Sequence, residues 1–431
     1  MARQATSPLG HLNRPTRRDF LKASSAAVIA TAAVSGTASA AKRDTLRVGL
    51  IGCGGRGTGA ARQALNADPD AELFAVADVF EDHLEASLAK LAASNVGDRV
   101  RVKDKRKFVG FDAYKNVIET CDVILLTTPP AFRPLHVEAA VQAGKHLFVE
   151  KPIAVDAPGV RSVMASCRRA KEKDINVVTG LCYRYEFAKR ETMQRVHGGE
   201  IGDILALQAT YNTGALWHKG RKPEWSEMEY QMRNWLYFDW LSGDHINEQH
   251  IHSLDKLAWA MDGYPVKATS SGGRVVRTGA EYGNIYDHFN TTYEWANGVK
   301  GFSSCRQWAN ADTDVSDHVF GTKGTAHLQQ HRIDGHDGSV WQHKKDPADD
   351  MYQNEHDAFF AAIRSGKTIN DGEIMCNSTL MAIMARMSAY TGKTIAWDAA
   401  LNSSLDLSPP AHEWGDLAVR SVPRPGVTKF V

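Results

Sequence analysis

The stretch LRVGLIGCGGRG, Leu46 to Gly57, constrains the fold of this chain more than any other. LRVGLIG (Leu46 to Gly52) is a β-rich apolar run, and Thr58 to Ala67 has helical character, so the glycines fall in a strand-to-helix turn. Gly52, Gly54 and Gly57 hold the three positions of a G-x-G-x-x-G pattern. Glycines there permit a tight turn, let the backbone approach a pyrophosphate and set that anion on the helix N-terminus, where free N–H groups point. The next apolar run, LFAVAD, ends at Asp78. An acid at that place binds a ribose 2′-hydroxyl and repels a 2′-phosphate. The expected cofactor is therefore NAD, with NADP disfavoured.

VILLTTP (Val123 to Pro129) and KHLFVEKP (Lys145 to Pro152) continue the strand series, with helical segments between. Such alternation implies an α/β domain with a parallel sheet covered on both faces, a Rossmann-type nucleotide-binding domain expected over residues 45–168. After a helix around Val160 to Lys173 the pattern changes. NVVTGLCYR, ILALQATYNTG, VKATSSGGRVV, HFNTTYEWANG and VKGFSSCRQWA read as longer, often alternating strands. They predict, over residues 169–431, an α+β domain for substrate binding and oligomerisation. Its large, mainly antiparallel open sheet would carry helices on one face, including Gln353 to Gly366 and Glu373 to Thr391.

Bulk properties narrow the ligand. Of 431 residues, 51 are Lys or Arg and 50 are Asp or Glu, which leaves no basic footprint for nucleic acid or an anionic membrane. The six cysteines lie far apart without a C-x-x-C pair, so free thiols are expected. Residues 1–40 have the order of a twin-arginine export signal: Arg17-Arg18, an alanine-rich run from Ala23 to Gly36, then Ala38-Ser39-Ala40 as a cleavage pattern. The run is too short and too weakly apolar for a membrane span. The expected location is periplasmic or otherwise extracytoplasmic, with no membrane association after signal removal.

Glu150-Lys151-Pro152 closes a late strand of the first domain, downstream of the glycine motif and upstream of the large sheet. Together with SGDHINEQHIHSLDKLAW (Ser242 to Trp259) and HVFGTKGT (His318 to Thr325), this order resembles the Gfo/Idh/MocA oxidoreductase family, which includes glucose-fructose oxidoreductase and inositol dehydrogenase. The likeness extends to an exported sub-branch. It implies that Glu150, Lys151 and Pro152 border the cofactor, that Lys151 lies beside the nicotinamide and the reacting hydroxyl, and that Pro152 sets the turn that aims it. It also implies a homo-dimer or homo-tetramer paired through the open sheet face.

In the family an acid precedes a catalytic histidine by four residues. His252 matches the histidine, and Glu248 stands where aspartate is usual. A four-residue spacing puts both on one face of a helix, so Glu248 is expected to orient or charge a His252 imidazole that abstracts a substrate proton. A buried structural histidine is the alternative. The order H-x-x-E-x-H-x-H from His245 to His252 fits neither H-E-x-x-H nor H-x-x-E-H, so no metal is expected.

Tyr183 and Arg184 match a substrate-facing region of the family, although packing within a strand would also explain them. Trp217, Trp225, Trp235 and Trp240, interleaved with Arg221 and Arg233, could present ring faces and charges to a sugar, or could pack in the core or a subunit interface. The expected function is an NAD-dependent oxidoreductase acting on a sugar or glycoside through a keto-sugar, with a tightly bound cofactor recycled within each turnover. Redox-neutral glycosidase or epimerase chemistry is one alternative, and a non-catalytic sugar-binding protein that retains the nucleotide fold is another.

Overall fold

A computed structural model describes residues 44–431, and the twin-arginine segment lies outside the described residues. The first apolar run becomes β1 (Leu46–Ile51) and LFAVAD becomes the end of β2 (Ala71–Asp78). With β3 (Lys107–Val109), β4 (Val123–Leu126), β5 (His146–Val149) and β6 (Val177–Thr179) they form a six-stranded parallel sheet in the order β3-β2-β1-β4-β5-β6. Ile51 pairs with both Ala77 and Leu126, which brings Gly52, Asp78 and Thr127 to one edge. Chain order reverses between β1 and β4, and in open parallel sheets the crevice at such a point receives the ligand.

NVVTG was expected to open the antiparallel sheet, yet Val177–Thr179 pairs in parallel with β5 and carries the first domain beyond residue 168. Three consecutive buried residues show no alternation, the pattern of a strand covered on both faces. A later segment also returns to this domain. The helix Met351–Ser365 places Phe359 and Phe360 in one core with Ala60, Ala64 and Leu65 of the helix Gly55–Ala67, and with Phe148 and Val178. A large-to-small change at such a buried phenylalanine costs about 3–5 kcal/mol.

The second sheet has nine strands. The central ones are β7 (Ile204–Thr213), β8 (Lys267–Gly273), β9 (His288–Glu294), β10 (Lys300–Gln307) and β11 (Asp314–Gly321). β12 (Gly324–His327), β13 (Arg332–Gly335), β14 (Val340–Gln342) and β15 (Ile395–Ala396) extend it, in the order β14-β13-β12-β11-β7-β10-β9-β8-β15. β7 and β10 run parallel, and the other neighbours are antiparallel. Alternation sends Leu207, Ala209, Phe289, Tyr293 and Cys305 inward, into a core with the helices Ile251–Ala260 and Gly372–Thr391, while Phe302 and Phe320 stay exposed on the other side. All six cysteines are buried and unpaired. Among the described residues no helix is long and apolar enough to cross a membrane.

Candidate active site

A cavity of about 770 Å³ opens where the strand ends of the first sheet meet the second domain. Its floor is the glycine loop. Gly52 has φ +98°, and a Cβ there would lie 2.7 Å from the Thr128 nitrogen, so no side chain fits. A Cβ on Gly57 would stand 2.0 Å from the Gly52 oxygen, which fixes how closely helix and turn approach. Around Gly54 and Gly55 the space is open to at least 4 Å. The helix Gly55–Ala67 begins without a side-chain cap, so its first amides are left for another partner. An uncapped helix start, room above two glycines and an acid at the next strand end together fit a dinucleotide pyrophosphate and ribose.

Asp78 lies at this end of the cavity, with Oδ2 accepting from the Cys53 amide at 2.6 Å and Oδ1 from the Phe80 amide at 2.9 Å. Burial raises its pKa, against the pull of those amides and of His83. Glu150 lines the cavity, but its Oε1 is 2.7 Å from Arg56 Nε, and the Arg56 guanidinium lies 4.8 Å from the centre of the Tyr352 ring. The carboxylate expected to border the cofactor thus braces the glycine loop from below. The Lys151-Pro152 peptide is cis.

At the other end Lys151 Nζ donates to the Glu248 carbonyl oxygen at 2.7 Å and to Glu248 Oε1 at 3.2 Å. Sequence spacing had put Glu248 beside His252 on one helix. The helix is instead broken: one turn covers His245–Glu248, Gln249 and His250 interrupt it, and a second helix starts at Ile251. The acid therefore serves the lysine, and it has no hydrogen bond to His252. The His252 ring meets Tyr183 edge-on at 5.3 Å, with Nδ1 buried and unpartnered. Burial, then the charges of Lys151 and Lys256, hold its pKa well below the usual histidine value, so the imidazole is neutral.

Lys151, Glu248, His252, Tyr183, Trp217 and Arg233 all line the cavity. Arg184 does not. Its guanidinium grips Asp255 with Nε–Oδ2 and Nη2–Oδ1 distances of 2.9 Å each, and Asp255 also accepts from Ser378 Oγ at 2.6 Å, which makes Arg184 a brace between segments. The tryptophans do not form one platform. Trp217 and Trp235 line the cavity, whereas Trp240 is buried with Nε1 donating to Gln231 Oε1 at 2.7 Å. Arg233 bonds Asp82, four residues after Asp78, so it stands at the ribose-acid end and away from Lys151's partner.

Sequence reasoning passed over three groups. Arg133 is buried, donates to the Thr128 carbonyl at 2.6 Å and to the Pro152 carbonyl, and so ties the β4 end to the Lys151 turn. Burial lowers its pKa to about 10 against the charges of Glu150 and Glu248. Lys256, paired with Asp317 in the core, sits 4.4 Å from the Tyr183 ring centre. A lysine four residues after His252, on the same helix face, was the available signal. Lys219 is the third, with Nζ 3.4 Å from His83 Nε2. As for the other histidines, His245 bonds Asp244 at 3.0 Å and His250 bonds Ser303 at 2.6 Å. Among the described residues no metal-binding group of His, Cys, Asp and Glu gathers.

Residues 46–178 match the GFO_IDH_MocA oxidoreductase family with its NAD-binding Rossmann fold, and residues 190–327 match a GFO/IDH/MocA C-terminal domain. Inositol 2-dehydrogenase of Rhizobium meliloti (strain 1021) is 26% identical over 345 residues, 76% of this chain and 93% of that protein. The 2,7-anhydro-N-acetylneuraminate hydratase of Escherichia coli (strain K12) is 26% identical over 219 residues, 50% of this chain and 53% of that protein. A levoglucosan dehydrogenase solved with NADH and levoglucosan superposes with a TM-score of 0.65 at 18% identity, covering 82% of this chain and 99% of that one, which establishes the shared fold. With both halves matched in order, the chain belongs to the Gfo/Idh/MocA oxidoreductase family.

Proposed function

We propose that the protein oxidises a carbinol of a sugar, polyol or glycoside with NAD, and that the hydride returns to the substrate within the same catalytic cycle. The observation that carries this reading is one cavity holding both an uncapped glycine-loop helix and the Lys151, Glu248 and His252 set. The dinucleotide, when bound, supplies the hydride acceptor. Gly54, Gly55 and the first amides of the helix Gly55–Ala67 would hold its pyrophosphate, and Asp78 its ribose diol.

The remaining chemistry belongs to this chain. An ammonium has three donors, and Glu248 engages two directions of Lys151 Nζ, which leaves one for a substrate hydroxyl. As that carbon loses hydride, Lys151 Nζ passes one proton to Glu248 Oε1 and takes the hydroxyl proton in its place, and the product is a ketone. The C–H next to a ketone is acidic, and neutral His252 can accept that proton. Its loss allows expulsion of a neighbouring substituent, addition of water or inversion, after which the ketone is reduced again. A hydratase and a glycosyl hydrolase family 109 protein among the relatives are in keeping with such redox-neutral outcomes, as the inositol 2-dehydrogenases are with net oxidation. Export through the twin-arginine signal would separate the protein from the cytoplasmic NAD pool, and a resident cofactor answers that separation. A homo-oligomer joined through the open face of the second sheet completes the proposal.

The test starts with purified protein, gel-filtered and then denatured, its released nucleotide identified by mass spectrometry. Near-stoichiometric NAD or NADH, and turnover of a glycoside without added cofactor, are expected. Turnover that requires NAD in stoichiometric excess would remove the recycling step. Unchanged processing by Lys151→Ala and His252→Ala would remove their catalytic assignment, and a wild type that binds sugar but never turns it over would leave a sugar-binding protein.

A further inference from the structure

One wall of the cavity comes from outside the nucleotide-binding motif. Lys219, Met232, Arg233 and Trp235 from the tryptophan-rich segment face Asp78, Phe80 and His83 across the same space. Arg233 is the joint. Its Nη1 is 3.1 Å from Asp82 Oδ2, its Nε is 2.8 Å from Glu229 Oε1, and its guanidinium carbon lies 4.0 Å from the Phe80 ring centre. A planar guanidinium can pair and stack at once, which a lysine cannot do equally well. Trp414 from the C-terminal tail stacks on the same Phe80 ring at 5.5 Å.

Lys219 is fixed just as firmly. Its amide donates to Asn234 Oδ1 at 2.8 Å, and Asn234 Nδ2 donates back to the Lys219 carbonyl at 3.0 Å, with Asn234 fully buried. This reciprocal pair delivers the ammonium to His83. Burial lowers the His83 pKa, with Lys219 and Arg233 adding to it against the pull of Asp78 and Asp82, so a neutral ring can accept from Lys219. Three stretches far apart in sequence, around 80–83, 219–235 and 414, thus converge on the strand end that carries Asp78.

We propose that Arg233 and Lys219 are cofactor-positioning residues contributed by the second domain, which latch this wall over the adenosine half of the dinucleotide and set its release rate. The inference rests on the dinucleotide reading of the glycine-loop cavity. Neither residue touches the reacting atoms. The adenosine end can leave only when Arg233 parts from Asp82 and Phe80, so binding energy spent on the latch appears as slow dissociation. That is what a resident cofactor requires.

The experiment loads the full chain with NADH and chases it with excess NAD while NADH fluorescence is followed. The variants are Asp82→Ala, Arg233→Ala, Arg233→Lys and Lys219→Met, with thermal unfolding recorded for each. Asp82 is largely exposed, so its variant probes the latch without a folding defect. Arg233→Ala, which also removes the Phe80 and Glu229 contacts, should speed release at least tenfold and Asp82→Ala by a smaller factor, and the double variant should be no faster than Arg233→Ala, because the Asp82 contact is already lost in it. Arg233→Lys should fall between wild type and Arg233→Ala, and Lys219→Met should speed release with little change in unfolding. Wild-type release rates in Asp82→Ala and Arg233→Ala, or additive effects that track a loss of thermal stability, would overturn the latch alone. A wild-type protein that binds no NADH would overturn the dinucleotide reading, and the latch with it.

Discussion

At the glycine-loop end of the cavity the binding groups are backbone amides, placed by residues within one strand, one turn and one helix. At the Lys151 end they are side chains from the turn that follows β5, from the broken helix around Glu248 and from the turn at Tyr183. The first end is rigid because glycines let main chain touch main chain. The second is held by ion pairs that cross the two domains, and each partner there can be changed without refolding the floor. On the proposed reading, binding and chemistry are thus built by different physical means and should fail differently.

The largest expected separation comes from Lys151→Met. Loss of a positioned proton-transfer group should lower kcat about 10²- to 10⁴-fold, while NADH affinity in a fluorescence titration stays within a few-fold of wild type. A parallel loss of both would mean that the two ends are not separate. Next is Arg184→Ala, which leaves the buried Asp255 unpaired and should cost about 3–5 kcal/mol in urea unfolding, with KM for the sugar unchanged. A raised KM at full stability would return Arg184 to the substrate. Within the loop, Gly57→Ala forces a Cβ against the Gly52 oxygen and should destabilise by about 1–3 kcal/mol. Gly54→Ala meets open space, so the unfolding midpoint should hold while NADH binding weakens.

The smallest effect appears only in acid. Burial would raise the Asp287 pKa, but the amides of Arg277, Val276 and Val275 and the His288 ring bring it down to about 2. A folded-state pKa below the unfolded value gives stability that is complete above about pH 4 and lost as pH falls through 2. Asp287→Asn should flatten that part of the stability curve and leave activity at neutral pH unaltered.

The same contrast explains what could be read from sequence. The convergence of Gly52, Gly54, Gly57 and Asp78 on one cavity edge was legible because the strands, turn and helix that carry them follow one another closely in the chain. The strands β1, β2, β4 and β5 were legible for the same reason. Glu248 and His252 were placed together because spacing cannot reveal a helix break at Gln249. Arg184 was misplaced because its partner, Asp255, is 71 residues away. β6 was assigned to the wrong sheet because a three-residue apolar run carries no period that says which neighbour it joins.

The helix Met351–Ser365 has a consequence for how the protein is made. Phe359 and Phe360 complete a core whose other buried members, Tyr185 apart, are in place once Thr179 has been synthesised. At ribosomal rates of about 5–20 residues per second, the interval from Thr179 to Ser365 lasts roughly 10–40 s. Throughout it, Phe148 and Val178 lack their cover, and the nascent nucleotide-binding half exposes an apolar face that invites a chaperone. Ribosome-bound chains halted after Thr179 should therefore be digested by protease at the helices of the first sheet, and chains halted well past Ser365 should resist. The domain written first in the sequence is among the last to be finished.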